Sequence, residues 1–187
     1  MLEHPDMTES LAEELIKVHR SLSGLIKLNK TLLLLSKIEN GQFLQTSEVD
    51  MNTLAADSIA LHQEIYGHKN IKADVKGEER FILKSDEQMA SVLIGNLVKN
   101  AFLYTPEGGS IEIQMSRTGF SISNDGNAPL DKEKVFRRFY QPSGRREGAT
   151  GLGLALVYSV CINNGLDITY DYADGRHIFS IILKKSK

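Results

Sequence analysis

SDEQMASVLIGNLVKNAFLYTP, residues 85–106, is the stretch on which the reading of this chain turns. Met89, Leu93, Leu97 and Ala101 recur every fourth residue and make one apolar stripe of a helix. Ser85 with Gln88 predicts a capping box at its start, and Pro106 ends it. Asn96 and Asn100 are four apart, about 60° round from the stripe by helical geometry. Two amides at the edge of a core face cost on the order of 1–3 kcal/mol each if left unpaired. A polar ligand supplies the missing partner. An asparagine carbonyl is a hard oxygen suited to Mg²⁺, and a second amide one turn away can hydrogen-bond a phosphate. Taken alone, the pair reads better as two exposed polar residues on an amphipathic helix.

Downstream, Ile111, Ile113 and Met115 alternate with polar residues, as do Phe120 and Ile122, which predicts a hairpin through Thr118-Gly119. The second strand runs into Asn124-Asp125-Gly126-Asn127-Ala128-Pro129, where small residues let backbone and side chain approach a flat ligand closely. Phe136-Arg137-Arg138-Phe139-Tyr140 follows, then a Gly- and Arg-rich stretch from Gln141 to Gly148. Gly151-Leu152-Gly153-Leu154 opens another helix, and backbone N–H groups of a glycine loop at a helix N-terminus make a phosphate cradle. The spacing is neither GxGxxG nor that of a P-loop, and the HRD and DFG motifs of protein kinases are absent from the sequence. Asp174-Gly175 marks a closing hairpin between Ile168–Tyr172 and His177–Leu183.

Upstream, residues 6–40 read as one long helix with Asp6 and Glu9 as capping pair and Asn40-Gly41 as stop. Leu11, Leu15, Val18, Leu22, Leu25, Asn29 and Leu32 alternate by four and three, the seam of a helix that packs on other helices. The seam favours a bundle with a second chain, with Asn29 as a buried register-setting polar residue; the alternative is a helix lying on its own domain. Residues 43–49 read as a short strand and 52–65 as a helix, and Ile71–Val75 and Arg80–Leu83 as two strands joined through Lys76-Gly77. Strands in antiparallel pairs interspersed with helices predict an α+β fold, one mixed, largely antiparallel sheet with helices on one face, preceded by the long N-terminal helix. The domain boundary falls between residues 1–42 and 43–187.

Composition narrows the function classes. The 187 residues are 41% hydrophobic and 25% charged, with a net charge of −2, so there is no basic footprint for nucleic acid or an anionic membrane. The lone Cys161 sits between Val160 and Ile162 and reads as a core residue of a protein from a reducing compartment. No apolar run approaches the roughly 20 residues of a membrane span.

The four segments in this order resemble the nucleotide-binding boxes of the two-component sensor histidine kinases, relatives of gyrase B, the Hsp90 chaperone and MutL. Residues 96–101 resemble the N box, Asn124-Asp125-Gly126 the first glycine box, 136–140 the F box and 151–154 the second glycine box. The resemblance implies a two-layer α/β sandwich that binds ATP and Mg²⁺ between the N-box helix and a lid over residues 136–150. It implies Asn100 as the Mg²⁺ ligand, Asn96 at the phosphates, Tyr104 near adenine, and Gly151 and Gly153 as the phosphate cradle. It places Gly126, Phe139, Thr150, Leu152 and Leu154 in the same site, and Arg138 as the catalytic candidate for γ-phosphate charge. The family's adenine-reading aspartate falls at Asn124, with Asp125 as the alternative. Ala128 stands where a second glycine is usual, and Leu103 where a Lys or Arg is.

The N-terminal helix resembles the second helix of the family's dimerisation and phosphoacceptor hairpin. His4, His19, His62, His68 and His177 all lack the context of the phosphorylated histidine. The expectation is therefore a catalytic domain plus half a hairpin that binds ATP without autophosphorylating. In the intact protein a histidine would be phosphorylated and the group passed to a response regulator receiver domain, with homodimerisation through the hairpin and a cytoplasmic location, the parent being an inner-membrane receptor. Rival readings are a non-catalytic dimerisation or nucleotide-sensing module, and another ATPase or serine kinase of the superfamily.

Overall fold

The computed structural model describes residues 9–43, 45–142 and 150–184. Asp6 of the expected capping pair, His4, and residues 143–149 between the F box and the second glycine box lie outside them. The elements are α1 (Glu9–Glu39), β1 (Ser47–Asp50), α2 (Met51–Ile65), β2 (Lys72–Lys76), β3 (Ile82–Ser85), α3 (Glu87–Tyr104), β4 (Ser110–Ser116), β5 (Gly119–Asp125), α4 (Gly153–Asn163), β6 (Leu166–Ala173) and β7 (Arg176–Leu183).

Five strands form a mixed sheet in the order β2-β4-β5-β7-β6, parallel only between β2 and β4. The helices α2, α3 and α4 cover one face of it. Ile111, Ile113, Ile122 and Ile181 project from the sheet into a core closed by Leu93 and Leu97 of α3 and Val157 and Val160 of α4, all 2% exposed or less. Cys161 is part of that core, and burial pushes its thiol pKa up to about 12, which leaves it a packed, unreactive group.

The strands before α3 do not pair as expected. β2 and β3 are not partners: β2 lies parallel to β4, while β3 pairs antiparallel with β1 in a separate two-stranded sheet. The chain leaves β2 at Gly77 with φ +108° and is then captured by the start of α2. There the Phe81 N–H donates to Asn52 Oδ1 (2.9 Å), and the Met51 N–H donates to the Phe81 carbonyl (3.0 Å). β1 is shorter than expected, starting at Ser47.

The cap of α3 is also one residue on from the expected Ser85. Asp86 holds extended backbone (φ −68°, ψ 134°), and its carboxylate accepts from the N–H groups of Gln88 (2.8 Å) and Met89 (3.2 Å). A charged acceptor that reaches two orphan donors at the positive helix end outcompetes a hydroxyl; Ser85 Oγ instead donates to the Asp86 carbonyl. At the other end the Thr105 hydroxyl donates to the Ala101 carbonyl (2.7 Å), one residue before Pro106.

Helix α1 behaves differently along its length. Its last turns dock: Leu35 and Ile38 are fully buried against the core. The earlier seam residues Leu11, Leu15, Val18, Leu22 and Leu25 are exposed, and so is Asn29. Within one chain, then, the lower end lies on its own domain, and the apolar face that favoured a bundle is uncovered. No described helix is long and apolar enough to cross a membrane.

Candidate functional site

A cavity of about 580 Å³ opens between α3, the end of β5, the start of α4 and the docked end of α1. Helix α3 supplies Asn96, Lys99, Asn100, Leu103 and Tyr104; the segment from β5 supplies Asn124 and residues 126–130. Thr150, Gly151, Gly153 and Leu154 close the opposite side, and His177 and Phe179 of β7 are also on the wall. Nine of the residues singled out in the sequence therefore share one cavity: Asn96, Asn100, Tyr104, Asn124, Gly126, Thr150, Gly151, Gly153 and Leu154.

The two α3 amides converge on the start of α4. Asn96 Nδ2 donates to the Val92 carbonyl one turn back (2.8 Å), which fixes the amide and leaves Oδ1 directed at Gly153. A Cβ on Gly153 would stand 3.1 Å from Asn96 Oδ1 and 3.8 Å from both amide atoms of Asn100. The helix begins there without a side-chain cap, so its first N–H groups are open to an external acceptor. Gly151 is required by its φ of +68° and by the Phe139 backbone, which a Cβ would meet at 2.8 Å.

At the other end, Asn124 is 4% exposed, and its Nδ2 donates to the Asp125 carbonyl (3.0 Å). Its neighbour Asp125 is turned away from the cavity. The Asp125 carboxylate accepts from the Ser110 N–H (2.8 Å) and pairs with Arg176 (2.6 Å). Of the two positions left open by the sequence, the one on the cavity wall is Asn124.

Three expected residues stand off the wall. Arg138 is paired with Glu39 at the end of α1, and its guanidinium is spoken for by a carboxylate 99 positions away. Phe139 is exposed, with φ +63°, and contributes backbone: its N–H donates to the Gly151 carbonyl (2.8 Å). Leu152 is fully buried beneath the loop rather than facing the cavity. Without a ligand, Phe139 and Leu152 support the loop around Gly151, and Arg138 is held by α1.

Sequence reasoning missed two contributors. His177 is the cross-strand partner of Asn124, and a Cβ on Gly126 would run into its ring. The Leu130 N–H donates to the Tyr170 hydroxyl (2.9 Å), which in turn meets His177 Nδ1 (2.9 Å). Burial lowers the His177 pKa, and its Nδ1 shares one hydrogen bond with the Tyr170 hydroxyl. The period of two along β7, with His177, Phe179 and Ile181 on one side, was the available signal. The second contributor is α1, which places Lys27, Thr31 and Leu34 on the wall. Lys27 and Lys99 are the only Lys or Arg among the described lining residues, and no Asp or Glu is among them. Burial, reinforced by Lys27, draws the Lys99 pKa down to about 8.

The family described as histidine kinase-, DNA gyrase B-, and HSP90-like ATPase matches residues 85–187. The sensor-like histidine kinase SenX3 of Mycolicibacterium smegmatis is 28% identical over 175 residues, covering 86% of this chain and 44% of its own. The sensor histidine kinase RppB of Synechocystis is 30% identical over 183 residues, covering 89% and 39%. The histidine kinase ThkA, solved in complex with the response regulator protein TrrA, shares the fold with a TM-score of 0.72 at 24% identity, covering 98% of this chain and 54% of that one. The chain spans about two fifths of the length of these two curated relatives.

Proposed function

The chain belongs to the histidine kinase-, DNA gyrase B- and HSP90-like ATPase family, and on that premise we propose that the cavity takes ATP with Mg²⁺ as the catalytic module of a sensor histidine kinase. The observation that carries the reading is the convergence of the Asn96 and Asn100 amides beside Gly153, at the uncapped start of α4. Phosphate oxygens accept from the open helix N–H donors, and the amide oxygens beside Gly153 suit the Mg²⁺ that accompanies them. Asn124 turns its oxygen to the adenine amino group, since its Nδ2 is committed to the Asp125 carbonyl. Tyr104 flanks the base.

The donor set fits Mg²⁺ as well. Among the described residues there is no group of three His, Cys, Asp or Glu that could hold a metal by itself. Mg²⁺ commonly takes one or two protein oxygens and completes its shell with phosphates and water, so the Asn100 carbonyl is the one ligand this wall needs to offer. When bound, the ion neutralises phosphate charge and orients the terminal phosphoryl group.

In the whole protein, a histidine nitrogen attacks the γ-phosphorus, the bond to the β–γ bridging oxygen breaks, and ADP leaves. The phosphoryl group then passes to a response regulator. The exposed seam of α1 is the surface for homodimerisation. Calorimetric titration tests the site: Asn100→Ala abolishes Mg²⁺-dependent ATP binding, and unchanged affinity would remove Asn100 from it. A second expectation follows from the five histidines, none of which has the phosphoacceptor context. The purified chain incubated with Mg²⁺ and ATP gains no acid-labile, base-stable phosphate, and its appearance would show that the chain carries its own acceptor.

A further inference from the structure

Lys27 and Lys99 reach one cavity from two different elements, α1 and α3, with no carboxylate among the described residues around them. Two ammonium groups facing a shared space repel each other, and both wall amides nearby are neutral. An anion seated between them converts that repulsion into two charge-assisted contacts. The positive strip continues along α1, where a shallower groove shares Lys27 and Thr31 with the cavity and adds Lys30. Lys99 precedes Asn100 on α3, so any polyphosphate chain held at the Asn96–Asn100 edge lies within reach of a lysine of this length.

We propose that Lys27 of α1 and Lys99 of α3 clasp the polyphosphate between them, so that the helix leading into the catalytic domain supplies part of the nucleotide site. The clasp rests on the nucleotide reading given above and extends it to an element outside the matched residues 85–187. It has a thermodynamic corollary. Among the described residues, the buried contacts of helix α1 with the domain lie near its end, at Leu35 and Ile38, beside the Glu39–Arg138 pair. A ligand gripped by both sides tightens that docking, and by reciprocity docking tightens the ligand.

The test titrates the 187-residue chain with MgATP and, separately, with adenosine. Losing one charge-assisted contact in Lys27→Gln or in Lys99→Gln weakens MgATP by about tenfold and leaves adenosine within about twofold. Hydrogen exchange supplies a readout independent of affinity: MgATP slows exchange across the last turns of α1 in the wild type and not in Lys27→Gln. Equal MgATP affinity in wild type and Lys27→Gln overturns the clasp. Equal weakening of MgATP and adenosine also overturns it, because Lys27 would then be acting through the fold. If Asn100→Ala weakens MgATP while both lysine variants do not, only the clasp fails. If the wild type binds no MgATP, the nucleotide reading fails and the clasp with it.

Discussion

Helices α1 and α3 are both written with apolar residues at helical spacing, yet they meet opposite fates. Helix α3 is sandwiched between the sheet, α2 and α4, and eight of its residues are buried. Helix α1 is the longer, with 31 residues, and among its described side chains only Leu35 and Ile38 are buried. Periodicity states which face of a helix is apolar; it does not state whether the partner for that face is in the same chain. The domain completes its core using α3 and the foot of α1, and leaves the remainder of the seam for another surface.

The sharpest way to break the comparison is a matched pair of truncations. Leu93→Ala empties a fully buried position on α3 and costs about 2–5 kcal/mol, seen as a lower urea midpoint at any protein concentration. Leu22→Ala, at a position 55% exposed, costs within about 0.5 kcal/mol in dilute protein, and more as concentration rises and the seam is covered. A concentration-independent loss at Leu22 would mean that the seam is not an association surface. Next in size is association itself. Leu15→Glu combined with Leu22→Glu puts charges along the seam and weakens self-association by more than about tenfold, measured by light scattering. The smallest effect is at the foot of α1. Both members of the Arg138–Glu39 pair are more than a third exposed, so Glu39→Gln costs about 0.2–1 kcal/mol at low salt and less at high salt.

The parts that sequence made legible are those set by neighbouring residues. Alternation found β4 and β5, the Asp174-Gly175 turn marked β6 and β7, and the i, i+4 spacing put Asn96 and Asn100 at one edge of α3, where they meet Gly153. What it missed is long-range. The partner of β2 is β4, some 40 residues on, and pairing is chosen by which strand completes the buried face rather than by the nearest turn. Arg138 was assigned by motif to phosphate, and its nearest carboxylate belongs to a helix 99 positions earlier. His177 and Lys27 were legible as a strand residue and a helix residue; only the fold brings them to the cavity. The cap at Asp86 rather than Ser85 is a local miss, a contest between two acceptors that the extended backbone at Asp86 decides.

The two outer strands of the five-stranded sheet bear on how the protein stays dispersed. β2 exposes Lys72, Asp74 and Lys76, and β6 exposes Asp167, Thr169 and Asp171. Alternating charge along both open edges discourages a second sheet from zipping onto either one, the route by which β-rich proteins form fibres. With those edges guarded, the largest run of exposed apolar side chains among the described residues is the seam of α1. An isologous contact through that seam closes on itself, whereas strand addition at a sheet edge runs on without end.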